Sequence, residues 1–239
     1  MKLTTVLFDL DGTLLPMDND SFTKEYFRLL CKKVVPLGYD PDELVAAVWK
    51  GTASMVANDG VIMNDKAFWK TFAEIMGERV YDDMPVFDEF YRSDFNEAQH
   101  MCGKNETLIA LVHDLKERGY KVALATNPIF PATATENRIR WAGFEPEDFE
   151  LYTTYENIGY CKPNLEYYKE VIKRLSVQPQ ECLMVGNDVG EDLVAEQLGM
   201  RTFLLTDYVI NRKNVDISQQ ARGNAEQLRV HIDYLSSLE

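Results

Sequence analysis

The sequence predicts an α/β protein: a Rossmann-like parallel sheet with helices on both faces, plus a small all-helical domain inserted after the first strand. Three observations carry this. Over residues 103–239, short apolar runs alternate with helical patterns, as parallel strands joined by crossover helices require. A lone apolar, β-branched run at 3–8 has the pattern of a buried strand. Between these regions, residues 16–102 contain helical patterns and no convincing strand. The expected division is therefore a catalytic core of 1–15 and 103–239, with a helical cap of 16–102.

In chain order, the strand at 3–8 runs into a turn at Asp11, Gly12 and Thr13 that Pro16 closes. Amphipathic periodicity then predicts helices near 21–36, 41–50, 65–77 and 84–97, with Ser21 and Asp65 as caps for two of them. Lys50-Gly51-Thr52 and Asn58-Asp59-Gly60 are expected to be polar loops. Beyond 103 come a helix at 106–118 stopped by Gly119, a strand at 121–125 and a helix at 131–141 ended by Gly143. A short strand is expected at 151–154, then a helix at 163–175 with Pro163 in its first turn. A strand at 182–185, a helix at 191–198 ended by Gly199, a strand at 201–205 and a helical tail after 225 complete the pattern.

Composition narrows the function. A net charge of −14 repels a phosphate backbone over most of the surface, so nucleic acid is not an expected partner. A small phosphorylated metabolite remains compatible, because a cation and a few amides reverse the field locally. Cys31, Cys102, Cys161 and Cys182 form no CxxC pair, and His100, His113 and His231 are scattered. Neither a disulfide framework nor a zinc site is expected. The apolar run at the N-terminus is too short for a signal peptide, and nothing approaches membrane-spanning length. A cytoplasmic monomer is the default expectation.

The chemistry-bearing residues follow strands. Asp9 and Asp11 come directly after the first strand, where ligands bind in an open α/β sheet. Two carboxylates at this spacing suit a nucleophile beside a general acid–base. A calcium loop counted from Asp9 would need Gly and Glu where Leu14 and Asp20 stand, which rejects that reading. Thr126 and Asn127 end the strand at 121–125, where backbone amides and a hydroxyl suit phosphate. Lys162 is a mobile point charge before a helix, suited to phosphate or to crowded carboxylates. Asn187, Asp188 and Asp192 follow the strand at 182–185, with the two acids spaced to share one side of a helical turn. Hard oxygen donors without His or Cys suit Mg²⁺. Each signal is modest alone. Their common position after successive strands is the stronger observation.

Asp9-Leu10-Asp11-Gly12-Thr13 resembles motif I of the haloacid dehalogenase superfamily. Thr126 matches motif II, Lys162 with Pro163 motif III, and Asp188 with Asp192 the acidic motif IV. The helical insert is similar to the C1-type cap of subfamily I. The resemblance implies a Mg²⁺-dependent phosphatase for a small phosphomonoester. Asp9 would attack phosphorus and become an aspartyl-phosphate, while Asp11 would act as general acid and then base. Thr126, Asn127 and Lys162 would hold the phosphoryl group. Asp9, the Asp11 carbonyl and Asp188 would hold Mg²⁺, with Asn187 and Asp192 beside them. Many relatives place the metal-binding Asp directly after the motif IV glycine. Here Asn187 intervenes, and Asp188 is favoured as the anion nearest the strand end. The alternatives on the same scaffold are a sugar-phosphate mutase, a 2-haloacid dehalogenase and a non-catalytic phosphometabolite binder.

Overall fold

The computed structural model describes residues 2–238; Met1 and Glu239, the outer limits of the expected core, lie outside them. The sheet consists of β1 (Thr5–Phe8), β2 (Lys121–Leu124), β3 (Cys182–Gly186), β4 (Arg201–Leu205) and β5 (Arg222–Gly223). Its order is β2-β1-β3-β4-β5, and every pairing is parallel. β1 therefore lies where the winding reverses, with β2 on one side and β3 on the other. Ligand crevices of open α/β sheets form at that point.

Alternation along the strands sorts side chains into two apolar layers. Val6, Phe8, Val122, Leu124, Leu183 and Val185 face one layer, while Leu7, Ala123, Cys182 and Met184 face the other. Helices α5 (Glu106–Glu117), α6 (Ala132–Trp141) and α8 (Ala225–Ser237) contribute to the first layer. α7 (Leu165–Leu175) covers the second through Tyr167, Tyr168, Val171, Ile172 and Leu175, a stripe at helical spacing. The expected parallel sheet with helices on both faces is borne out.

Between β1 and β2 the chain forms α1 (Asn19–Val34), α2 (Pro41–Val56), α3 (Asn64–Met76) and α4 (Val80–Arg92), followed by a 3₁₀ segment at Asp94–Met101. Their apolar faces merge with the first layer of the sheet; Phe95 stacks on Trp141 of α6 with centroids 5.1 Å apart. The segments that enter and leave this helical region run side by side. Met17 and Cys102 form an antiparallel bridge, and Gly103 N–H donates to Pro16 O at 2.8 Å.

Several local expectations are corrected. Asp18, not Ser21, caps α1; its carboxylate accepts the Ser21 amide at 2.9 Å, the N-cap to N3 geometry. Met63 precedes α3 without a side-chain cap, and Asp65 sits in the first turn. Lys50-Gly51-Thr52 is no loop, because α2 continues through it to Val56. Gly51 there lets α3 approach: a Cβ at that position would lie 2.6 Å from the Phe68 ring. α4 ends at Arg92 and the chain tightens to 3₁₀ geometry, instead of one helix at 84–97. The expected strand at 151–154 reduces to one bridge between Tyr152 and Leu124. Asn157 intercepts the next backbone groups, accepting the Thr154 amide and donating to Tyr152 O. Pro163 lies before α7, whose cap is Asn164. The expected helix at 191–198 is a 3₁₀ segment at Leu193–Leu198, and two-residue β5 was too short for any periodicity to show.

Candidate active site

Register brings the motif residues level. Phe8 pairs with Leu124 on one side and Val185 on the other. The Ala125 amide donates to Phe8 O at 2.7 Å, and the Asp9 amide to Val185 O at 2.8 Å. Asp9 follows Phe8 directly, and Thr126 and Asn187 come two residues beyond Leu124 and Val185. Asp9, Asp11, Thr126, Asn127, Asn187, Asp188 and Asp192 all line one cavity of about 370 Å³.

Lys162 is the hub. Its ammonium donates to Asp9 Oδ1 at 2.9 Å and to Asp192 Oδ1 at 2.7 Å, and the residue is 1% exposed. Burial opposes its charge, but Asp192 and Asp9 outweigh that, so its pKa stands well above the ordinary lysine value. It is a fixed cation that neutralises two buried carboxylates. Thr13 Oγ lies 3.2 Å from both Asp9 Oδ2 and Asn187 Oδ1, and its one proton serves either acceptor. Gly12 makes this possible: it has φ +80°, and a Cβ there would come within 2.2 Å of Asn187 Nδ2.

The remaining motif residues are firmly held. Thr126 is buried, and its carbonyl accepts from Thr153 Oγ at 2.7 Å and Tyr167 OH at 2.8 Å. Asn127 joins two segments: its Oδ1 accepts the Lys162 amide at 3.2 Å, and its Nδ2 donates to Glu191 at 3.0 Å. Asp188 Oδ1 accepts the amides of Gly190 at 2.7 Å and Glu191 at 3.0 Å, which fixes the direction of the carboxylate. Asp192 points inward to Lys162, and its other oxygen accepts the Asp188 amide at 2.9 Å. Asp188 and Asp192 thus hold different partners, while the Asp192 amide donates to Asp188 O at 2.9 Å across one turn and both residues line the cavity.

Two features were missed at the level of sequence. Arg138 of α6, 1% exposed, pairs with Asp11 and stacks over Phe130 at 4.3 Å. The available signal was a cation on the apolar stripe that holds Ala134 and Ile139. Burial raises the Asp11 pKa; Arg138 pulls it back and the Asp9 charge adds to it, leaving it above the ordinary aspartate value. Among the described residues Asp11 Oδ1 is buried without a hydrogen-bond partner, which leaves that oxygen open to a ligand. The second feature is the segment 208–212, which reaches back over motif IV. Asn187 Nδ2 donates to Tyr208 O at 2.6 Å, and the Ile210 amide to Asn187 O at 2.9 Å.

Glu191, also on the cavity wall, yields a pH prediction. Burial pushes its pKa up to about 7, with Lys162 opposing and the neighbouring acids adding. The folded chain then holds a proton that the unfolded chain releases at ordinary glutamate pH, so metal-free stability should fall as pH rises from about 4.5 to 7. The whole effect is at most ~3 kcal/mol. Glu191→Gln, which can still accept from Asn127, should be more stable than the wild type by a margin that widens over this window and then levels. Thermal unfolding in EDTA at pH 5 to 8 checks it; a constant margin refutes it.

With the geometry set out, comparison with known proteins is decisive about ancestry. A haloacid dehalogenase-like hydrolase profile matches residues 3–199, most of the chain. The chain belongs to that family. It is similar to the pyrophosphatase PpaX of Bacillus cereus, with 25% identity over 202 residues, covering 84% of this chain and 82% of that one. In fold it is similar to a HAD phosphatase from Thermococcus onnurineus (22% identity, TM-score 0.57, covering 97% and 98% of the two chains). It is likewise similar to the HAD-hydrolase YfnB from Bacillus subtilis, whose structure is bound to magnesium (18% identity, TM-score 0.60, covering 98% and 100%). No helix among the described residues is long and apolar enough to cross a membrane.

Proposed function

We propose that this family member is a Mg²⁺-dependent phosphatase that hydrolyses a small phosphomonoester through an aspartyl-phosphate on Asp9. The observation that carries the reading is the buried Lys162 ammonium bridging Asp9 and Asp192, with Asp11 lining the same cavity as both acids. Phosphoryl transfer is mostly positioning and charge stabilisation, and this cluster supplies both.

The donors fit magnesium in kind. The carboxylates of Asp9 and Asp188 and the carbonyl of Asp11 are hard oxygens with no His or Cys among them. Among the described residues, no three His, Cys, Asp or Glu side chains converge closely enough to enclose an ion. That suits an ion which takes one or two carboxylates and keeps several waters. When bound, it would neutralise charge on the phosphoryl oxygens and keep Asp9 ionised.

The chain's own residues supply the rest. An Asp9 oxygen attacks phosphorus as the ester P–O bond breaks, and Asp11 gives its proton to the departing alcohol oxygen. Water then attacks the aspartyl-phosphate, Asp11 takes the water proton, and the Asp9–phosphorus bond breaks to release phosphate. Thr126 and Lys162 orient the phosphoryl oxygens. Asn127 assists by holding the Lys162 loop, and Asn187 and Asp192 hold Thr13, Lys162 and the Asp188 amide in place. The helical region 16–102 acts as a cap over the leaving group.

The test is phosphate release from a panel of phosphomonoesters with Mg²⁺ and with EDTA. Turnover should require Mg²⁺ and fall at least ~100-fold in EDTA. Equal rates in both would refute the metal dependence, and no release from any ester would refute the phosphatase.

A further inference from the structure

The cavity does not end at the acids. It continues from Asp9 and Asp11 into the helical region, and the walls there are apolar: Phe22, Phe27 and Leu30 of α1, Val48 of α2, and Trp69 of α3. Phe130, from the loop after β2, closes the core side. No Asp, Glu, Lys, Arg or His of residues 16–102 lines it. Tyr26 and Tyr91 pair through a 2.9 Å hydroxyl contact, and Asn19, Thr23, Thr52 and Tyr155 also line the cavity; the Thr23 and Thr52 hydroxyls donate within their own helices at 2.7 and 2.9 Å. Arg212 is the only Lys, Arg or His among the lining residues; it is exposed and stands on the motif IV side.

We infer that the leaving group is an uncharged apolar moiety, so that the substrate is the phosphomonoester of an apolar alcohol. This rests on the phosphatase reading of the same site. A second phosphate or a carboxylate on the leaving group would enter a chamber of aromatic rings with no cation, which strongly disfavours it. A polyhydroxylated sugar would find few free donors there, since the Thr23 and Thr52 hydroxyls donate within α1 and α2 and Tyr26 pairs with Tyr91, and that also costs binding. An alkyl or aryl group would displace water from apolar walls, which favours it. The volume of about 370 Å³ is near the lower end of small-ligand pockets, room for a phosphate and one ring or a short chain.

The experiment compares n-hexyl phosphate with glycerol phosphate, both esters of primary alcohols, so that leaving-group chemistry differs little. With Mg²⁺, the wild type should show kcat/KM at least tenfold higher for n-hexyl phosphate. Trp49 lies tilted against Phe27, with centroids 5.5 Å apart, and is 52% exposed. Trp49→Gln should shrink the ratio between the two esters, and a ratio within one variant does not depend on the amount of folded enzyme. A wild-type ratio near one, or a preference for glycerol phosphate, overturns the inference while leaving the phosphatase intact. If no ester turns over, the phosphatase reading fails and binding decides the cavity. Trp49 and Trp69 both line it, so tryptophan fluorescence of Asp9→Asn should respond to n-hexyl phosphate at least tenfold below the concentration needed for glycerol phosphate. Equal responses, or none, overturn it by that route.

Discussion

Asp9→Asn should lose turnover by on the order of 10⁴-fold or more, the scale seen when a covalent nucleophile is removed, while the fold hardly changes. The asparagine carbonyl can still accept from Lys162, which contacts Asp9 Oδ1 at 2.9 Å, while Thr13, 3.2 Å from the other Asp9 oxygen, can donate to Asn187 Oδ1 instead. Lys162 also keeps its 2.7 Å partner Asp192, so no buried charge is left alone. The variant should therefore unfold within a few degrees of the wild type. Acid quenching of the wild type during turnover should trap phosphate on the peptide containing Asp9, and the variant should trap none. Residual turnover near the wild-type rate, or phosphate trapped elsewhere, would remove Asp9 from the role of nucleophile.

Lys162→Met should be costly in a different way. It removes the one ammonium between two carboxylates that are 8% and 1% exposed, Asp9 and Asp192. Breaking one side of a buried ion pair typically costs 3–5 kcal/mol, roughly what leaving an uncompensated charge implies. The loss should grow from pH 5 to pH 7.5, because burial raises the Asp192 pKa and in acid a proton on that carboxyl can replace the ammonium. Urea unfolding in EDTA at pH 7.5 and pH 5 measures both. Lys162→Arg should rescue little, because a planar guanidinium does not fit a closed site built around a point charge. A deficit that does not change with pH would show that packing, not charge, is what Lys162 contributes.

The parallel core was legible because its signals are local. Apolar runs such as Leu183 to Val185 and punctuating glycines such as Gly119 and Gly199 announce strands and helix ends in a few residues. Motif acids were legible because a charge just beyond a buried strand is itself unusual. What escaped depends on the third dimension. Arg138 was hidden because one cation in a helix shows only which helical face it occupies, not which carboxylate it meets 127 positions away. The amphipathic periodicity of residues 16–102 shows that their apolar side chains face inward, not what lies there. Trp69 and Phe87 are indeed packed together, yet they also border the cavity. Periodicity cannot tell a wall from a filling. The interior extent of α2 escaped for a similar reason: Gly51 signals a loop in sequence, whereas close approach of the Phe68 ring is what the position requires.

The bridge between Met17 and Cys102 brings entry and exit of the helical region to one doorstep. A chain that doubles back to its own starting point can be lengthened, shortened or exchanged there while the sheet keeps its register. The half of the cavity lined by Asp9, Asp188 and Asp192 comes mainly from the ends of strands on one side of that doorstep, and most of the apolar half comes from helices on the other. The two can therefore be inherited on separate schedules. A lineage could recruit a new substrate by rewriting the region between the two bridged residues, with Asp9 and Lys162 carried along untouched.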